Sequence, residues 1–209
     1  MTAAPPGAVR TEVVDGVLVA TVDRPAGNAI DSRVSFELYT AWARLRDDPS
    51  VRAGVVTGAG HEYFSAGWDV APGIGGLAGV ADFFRVGKPM IAAVNGVARG
   101  GGFELALMTD LIVAAEHAEF VIPGGLGGPG ELGSAVPARL SEEAVHELRR
   151  TGGTLTAATA AKFGVAHRIV PAGTELAVAL DLARLLASTP GAAAAIKEIG
   201  LGAHRADGD

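Results

Sequence analysis

Apolar positions fall into short uniform runs cut by glycine-bearing turns, with stretches of helical period between them. Val17-Leu-Val-Ala-Thr-Val22 predicts a strand ending at the turn Asp23-Arg24-Pro25, and Asp31 or Ser32 caps a helix running to about Leu45. Gly54-Val-Val-Thr57 predicts a short buried strand. Phe64-Ser-Ala-Gly-Trp-Asp69 predicts a strand end turning toward a helix, and the glycine-rich stretch from Pro72 to Gly79 predicts a mobile loop. Met90–Val94 predicts another buried strand, which leads through Asn95-Gly96 and the triplet Gly100-Gly101-Gly102 into a helix over Phe103–Asp110 and a strand over Leu111–Ala115. Repeated strand, glycine turn and helix units predict an α/β fold with a mostly parallel sheet covered by helices, and ligands at the carboxyl ends of its strands.

From Ser141 onward the pattern becomes mainly helical, with helices expected at Ala157–Phe163 and Leu176–Ala187 and a short strand at His167-Arg-Ile-Val170. The expected organisation is an α/β core over 1–140, a helical region over 141–200 and a polar tail over 201–209 that frays.

Composition narrows the function classes. With 209 residues, 49% of them hydrophobic, and a mean hydropathy of +0.32, the chain can bury one sizeable core. Thirty glycines and eleven prolines fit many tight turns, although outside the glycine clusters a coding bias explains the excess equally well. A net charge of −6 and a pI near 5.4 give no general attraction to nucleic acid or to an anionic membrane, so a phosphate-bearing ligand needs a local basic patch. The chain has no cysteine, which excludes disulfides, thiolate metal sites and a cysteine nucleophile and fits a reducing cytoplasm. His61, His117, His146, His167 and His204 are scattered without ligand spacing, so no metal is expected. The start of the chain lacks a secretory pattern, and charge, glycine or proline breaks every apolar run before membrane-spanning length.

The candidate chemistry lies in Phe64–Asp69 and in Arg99-Gly-Gly-Gly-Phe-Glu104. Glycine and alanine let a substrate carbonyl reach the main chain, and an amide that opens a helix has no partner of its own. Two such amides form an oxyanion hole, each donor contributing roughly 3–4 kcal/mol to stabilising developing negative charge. The amide of Gly101 gains further from the positive end of the helix that follows. Glu104 stands about one turn further along that helix, near enough to serve the same substrate, though a carboxylate there also complements the dipole and caps free amides.

Asn28-Ala-Ile-Asp31, Thr57-Gly-Ala-Gly60, Phe64-Ser-Ala-Gly-Trp-Asp69, Ile91-Ala-Ala-Val-Asn-Gly96 and Gly100-Gly-Gly-Phe-Glu-Leu-Ala-Leu107 resemble the enoyl-CoA hydratase/isomerase (crotonase) superfamily from Val13 to about Ile199. Within it these motifs look most like carnitinyl-CoA dehydratases. The resemblance implies the crotonase (ClpP/crotonase-like) fold of repeated β-β-α units, here with a shortened helical C-terminal region that normally serves oligomerisation and pocket closure. It also implies a lyase or isomerase acting on an acyl-CoA through an oxyanion-held enolate, as a hydratase, dehydratase or isomerase.

By the same resemblance Ala66 and Gly101 supply the oxyanion hole, and Glu104 is the acid/base. Gly67, Trp68, Arg99, Gly100 and Arg24 are expected against the substrate, with Arg24 and Lys88 both candidates for its phosphates; each has a packing or solvent-facing reading beside it. The second hydratase glutamate falls on Gly124, which puts two-carboxylate hydration in doubt, and Glu131 is the candidate replacement. Coenzyme A enters as part of the substrate, with no separate cofactor and no metal. The resemblance further implies a cytoplasmic homo-oligomer, a trimer or dimer of trimers. Gly124 and a chain that stops several dozen residues before ordinary members keep three alternatives open: a non-catalytic accessory subunit, a carrier-protein thioester, or a small free carbonyl substrate.

Overall fold

Asp15 and Gly16 reverse the chain with positive φ values of 52° and 80°, as a two-residue hairpin turn requires, and so set β1 (Val9–Val14) antiparallel against β2 (Val17–Val22). This computed structural model describes residues 8–25, 27–69, 86–124, 140–189 and 191. The expected loop over Pro72–Gly79, Glu131 and the polar tail lie outside the described residues.

Beyond the hairpin the apolar runs build parallel sheet. β3 (Ala53–Gly58), β5 (Met90–Val94), β7 (Leu111–Ala115) and β10 (Arg168–Val170) join it in the order β1-β2-β3-β5-β7-β10, all parallel except β1. The second sheet is made of short strands, β4 (Tyr63–Ser65), β6 (Val97–Arg99), β8 (Glu119–Val121) and β9 (Thr154–Thr156), with β9 alone antiparallel. Each of β3, β5 and β7 thus continues into a short strand of the second sheet, the repeated β-β-α pattern of the crotonase fold.

Uniformly apolar strands follow from cover on both faces. Met90, Ala92 and Val94 point into the larger core, where they meet Val34, Leu38, Trp42 and Leu45 of α1 (Ser32–Asp47) together with Phe103 of α2 (Gly101–Leu107). Ile91 and Ala93 point the other way, against Ala179 and Ala183 of α5 (Glu175–Ser188). α3 (Glu142–Arg150) and α4 (Ala157–Lys162) pack beside β9. The rings of Phe103 and Phe120 meet at 5.2 Å, tilted by 52°, and join α2 to the second sheet; such pairs contribute about 0.5–1.5 kcal/mol beyond area burial.

The helix expected over Phe103–Asp110 begins at Gly101 and ends at Leu107. It opens early because Gly100 takes the positive φ of 49° and its carbonyl accepts the Glu104 N–H at 2.9 Å. It closes early because the Thr109 hydroxyl donates to Ala106 O, and the Asp110 carboxylate accepts the Met90 N–H at 2.7 Å. The stretch after Ser141 is helical as expected and supplies the expected short strand as β10 in the first sheet, and it also adds β9 to the second.

Lys88 does not serve a phosphate. Its ammonium donates to Leu45 O, Asp48 O and Val51 O at 2.6, 2.8 and 2.6 Å, closing the carboxyl end of α1, and burial holds its pKa below the ordinary lysine value. At the other end of α1, Asp31 caps as expected, accepting the Val34 N–H at 2.8 Å.

Candidate active site

Two buried asparagines hold the turns after β2 and β5 against the turn after β3. Asn28 adopts φ 57°, accepts the Arg24 N–H, and donates to Ala59 O and Tyr63 O at 2.9 and 2.8 Å. Asn95 follows β5, accepts the Gly58 N–H and donates to Gly60 O at 2.9 Å. Between the turns after β2 and β3 a groove of about 830 Å3 opens beside Arg24, Asn28, Gly60, His61, Tyr63 and Ala66.

The chain leaving β4 runs beside residues 27–30, and Gly67, at φ 100°, breaks the strand alternation, so the direction of each amide is set residue by residue. Ala66 N–H donates to Gly27 O at 2.8 Å, Gly67 N–H to the Ser65 hydroxyl at 3.2 Å, and Asp69 N–H to Ile30 O at 2.8 Å. Ile30 N–H in turn donates to Gly67 O at 2.7 Å, which closes a parallel bridge between Ile30 and Trp68. Trp68 N–H faces away from that bridge and has no acceptor among the described residues. This corrects the choice of Ala66 as a free donor, since a small side chain does not release an amide that the register has already paired.

At the start of α2, Gly100 N–H donates to Val121 O, whereas the N–H groups of Gly101, Gly102 and Phe103 have no acceptor among the described residues. The two segments meet main chain to main chain. A Cβ placed on Gly67, which has φ 100°, would lie 2.6 Å from Arg99 O and 3.4 Å from Gly101 N, and one on Gly102 would lie 2.7 Å from Ser65 Cβ. A Cβ on Gly101 would overlap the indole of Trp68, which covers that Cα. Glu104, only 5% exposed, accepts the Trp68 indole N–H on Oε2 at 3.2 Å.

Residues 12–201 match the enoyl-CoA hydratase/isomerase family. A carnitinyl-CoA dehydratase from Salmonella arizonae is 45% identical over 198 residues, spanning 88% of this chain and 76% of that protein. The chain belongs to the enoyl-CoA hydratase/isomerase family. The solved structure of a carnitinyl-CoA dehydratase from Mycobacterium avium superimposes with a TM-score of 0.80 at 36% identity, covering 94% of this chain and 83% of that one. An enoyl-CoA hydratase from Mycobacterium tuberculosis gives a TM-score of 0.81 at 34% identity, covering 95% and 83%. The crotonase fold and membership of an enzyme family are thereby shown.

Within this enoyl-CoA hydratase/isomerase scaffold the remaining candidates separate. Gly124 is exposed, with φ 77°, one residue after a proline whose ring lies 3.6 Å from where a Gly100 Cβ would stand. A side chain at 124 would have to adopt a left-handed backbone conformation. Arg99 ends β6 exposed, and no ion pair links it to another described residue. Arg24 is committed to structure as well as to the groove: its guanidinium donates to the Asp69 carboxylate at 2.6 Å and to Ala29 O at 3.2 Å, and lies 3.4 Å from Asp31. The described residues contain no cluster of three or more potential metal ligands, and no helix among them is long and apolar enough to cross a membrane.

Three contributors were not read from the sequence: the tethers Asn28 and Asn95, and the bond from Trp68 to Glu104. An asparagine after a Pro-Ala-Gly turn is a signal for positive φ, and Asn95-Gly96 is a turn signal, so the asparagines were accessible in principle. The Trp68 bond joins residues far apart in sequence, and no local pattern marks it.

Proposed function

We propose that this protein interconverts a 3-hydroxyacyl-CoA and the corresponding 2-enoyl-CoA through an enolate whose oxygen is bound by the main-chain N–H groups of Trp68 and Gly101. The observation that carries this reading is a pair of amides without acceptors among the described residues, in touching segments and beside the buried carboxylate of Glu104. In the dehydration direction Glu104 takes the proton from C2, and the bonding electrons pass to the thioester oxygen, where the two N–H donors and the helix start stabilise them. Collapse of the enolate forms the C2–C3 double bond and breaks the C3–O bond. The departing hydroxide takes the proton back from Glu104 and leaves as water, which restores the carboxylate. One carboxylate thus suffices for a syn elimination, and Glu131 is the candidate for a second proton donor.

The groove beside Arg24 borders the first of the two segments at Ala66 and is the proposed path of the CoA moiety. Carnitinyl-CoA, the substrate named for the Salmonella relative, is the first compound to try. A 1,3-proton shift between C2 and C4 is the second reading, favoured by the glycine at 124 because isomerisation needs a single base. A cytoplasmic homo-oligomer, trimeric or a dimer of trimers, without a cofactor beyond the substrate's own CoA, completes the proposal. Incubation in deuterated water with carnitinyl-CoA and a panel of 3-hydroxyacyl- and 3-enoyl-CoA thioesters separates the readings. Deuterium at C2 with loss of water supports the dehydratase, deuterium with migration of the double bond supports the isomerase, and no exchange with any thioester overturns both.

A further inference from the structure

Trp68 carries two N–H groups, and both point toward chemistry. The main-chain N–H is unspent among the described residues, whereas the indole N–H donates to Glu104 Oε2 at 3.2 Å. The indole ring also covers the Cα of Gly101, where there is no room for a Cβ. Glu104 is nearly inaccessible, and a buried polar group needs hydrogen-bond partners in place of the water it loses. A hydrogen bond to an ionised acceptor is about twice as strong as a neutral one and fixes the acceptor's rotamer.

From this geometry we infer that the Trp68 indole is the positioning group for Glu104, holding its carboxylate aimed, while the amide of the same residue serves the oxyanion. A tryptophan here therefore couples the two halves of the site. Motion of the indole relative to Gly101 displaces the carboxylate and the oxyanion donor together. The catalytic part of this inference rests on the proposed enolate chemistry; the indole–carboxylate bond itself does not.

The chain has two tryptophans, so a protein labelled with 15N-tryptophan gives two indole N–H resonances, and Trp68→Phe assigns them by deleting one. The expected result is that Glu104→Gln shifts the Trp68 indole proton upfield by more than its line width and leaves the Trp42 resonance in place. In steady-state kinetics with carnitinyl-CoA or whichever panel thioester is turned over, Trp68→Phe keeps the main-chain amide and a ring over Gly101. It lowers kcat about tenfold while KM changes less than about twofold, as expected for losing one charge-assisted bond that acts on the base. A Trp68 resonance unmoved by Glu104→Gln, or a folded Trp68→Phe enzyme with the parent kcat, overturns the inference. The resonance requires no substrate, so an enzyme inactive on every thioester but with the expected shift refutes the proposed reaction and leaves the indole–carboxylate bond established.

Discussion

The two segments that meet at the site release main-chain N–H groups by different physics. Residues 64–69 pair with residues 27–30 through the amides of Ala66 and Asp69, and the positive φ of Gly67 between them turns the Trp68 N–H away, where it has no acceptor among the described residues. Residues 99–104 begin a helix, and its first turn has amides without acceptors among the described residues because no earlier turn offers a carbonyl. Small residues matter in both for a further reason: Gly67, Gly101 and Gly102 let the two segments touch. In a helix start the free donor follows from sequence position; in a strand it follows from register, which depends on a partner elsewhere in the chain.

That contrast can be broken at several points. The largest effect is expected at the carboxylate: Glu104→Gln preserves size and removes the base, so kcat in the dehydration assay falls about 10²–10⁴-fold with an unchanged circular dichroism spectrum. Next comes the helix start, where Gly101→Ala drives a methyl into the indole of Trp68, and loss of an aligned oxyanion donor lowers kcat about 10²–10³-fold. On the strand side the tethers fail by unfolding. Asn28→Ala strips Ala59 O of its donor and places alanine at φ 57°, costing about 1–3 kcal/mol in urea denaturation. Lys88→Met, which leaves three carbonyls at the end of α1 without their donor, costs a similar ~1–3 kcal/mol and leaves kcat unaltered. The smallest effect belongs to Arg24 and Asp69, whose side chains are 25% and 59% exposed. A double-mutant cycle with Arg24→Gln and Asp69→Asn should give a coupling below about 1 kcal/mol.

What the sequence made legible follows the same division. The strands over Val17–Val22 and Met90–Val94 were readable because each is apolar on both faces, and α1 because Asp31 caps a helical period. β6, β8 and β9 were not, since three-residue strands carry too few positions to show a period. β1 is not legible although Asp15-Gly16 announces a hairpin, because Arg10-Thr11-Glu12 interrupts its valines and no alternation marks a buried face. At the site Gly101 and Glu104 were legible from the motif and from helix geometry. The bond from the Ala66 N–H to Gly27 O and those from the Lys88 ammonium to three carbonyls were not legible, because in each case the partner is a backbone carbonyl from a distant segment.

Main-chain chemistry at positions 66 and 68 tests the central claim without altering a side chain. Incorporating the α-hydroxy analogue of either residue replaces its amide N–H by an ester oxygen. At Trp68 the replacement should lower kcat about 10²–10³-fold with the melting temperature nearly unchanged. At Ala66 it should cost about 0.5–1.5 kcal/mol of stability, through loss of the bond to Gly27 O, with kcat nearly unchanged. A collapse of kcat for the ester at 66 together with parent activity for the ester at 68 would contradict the account.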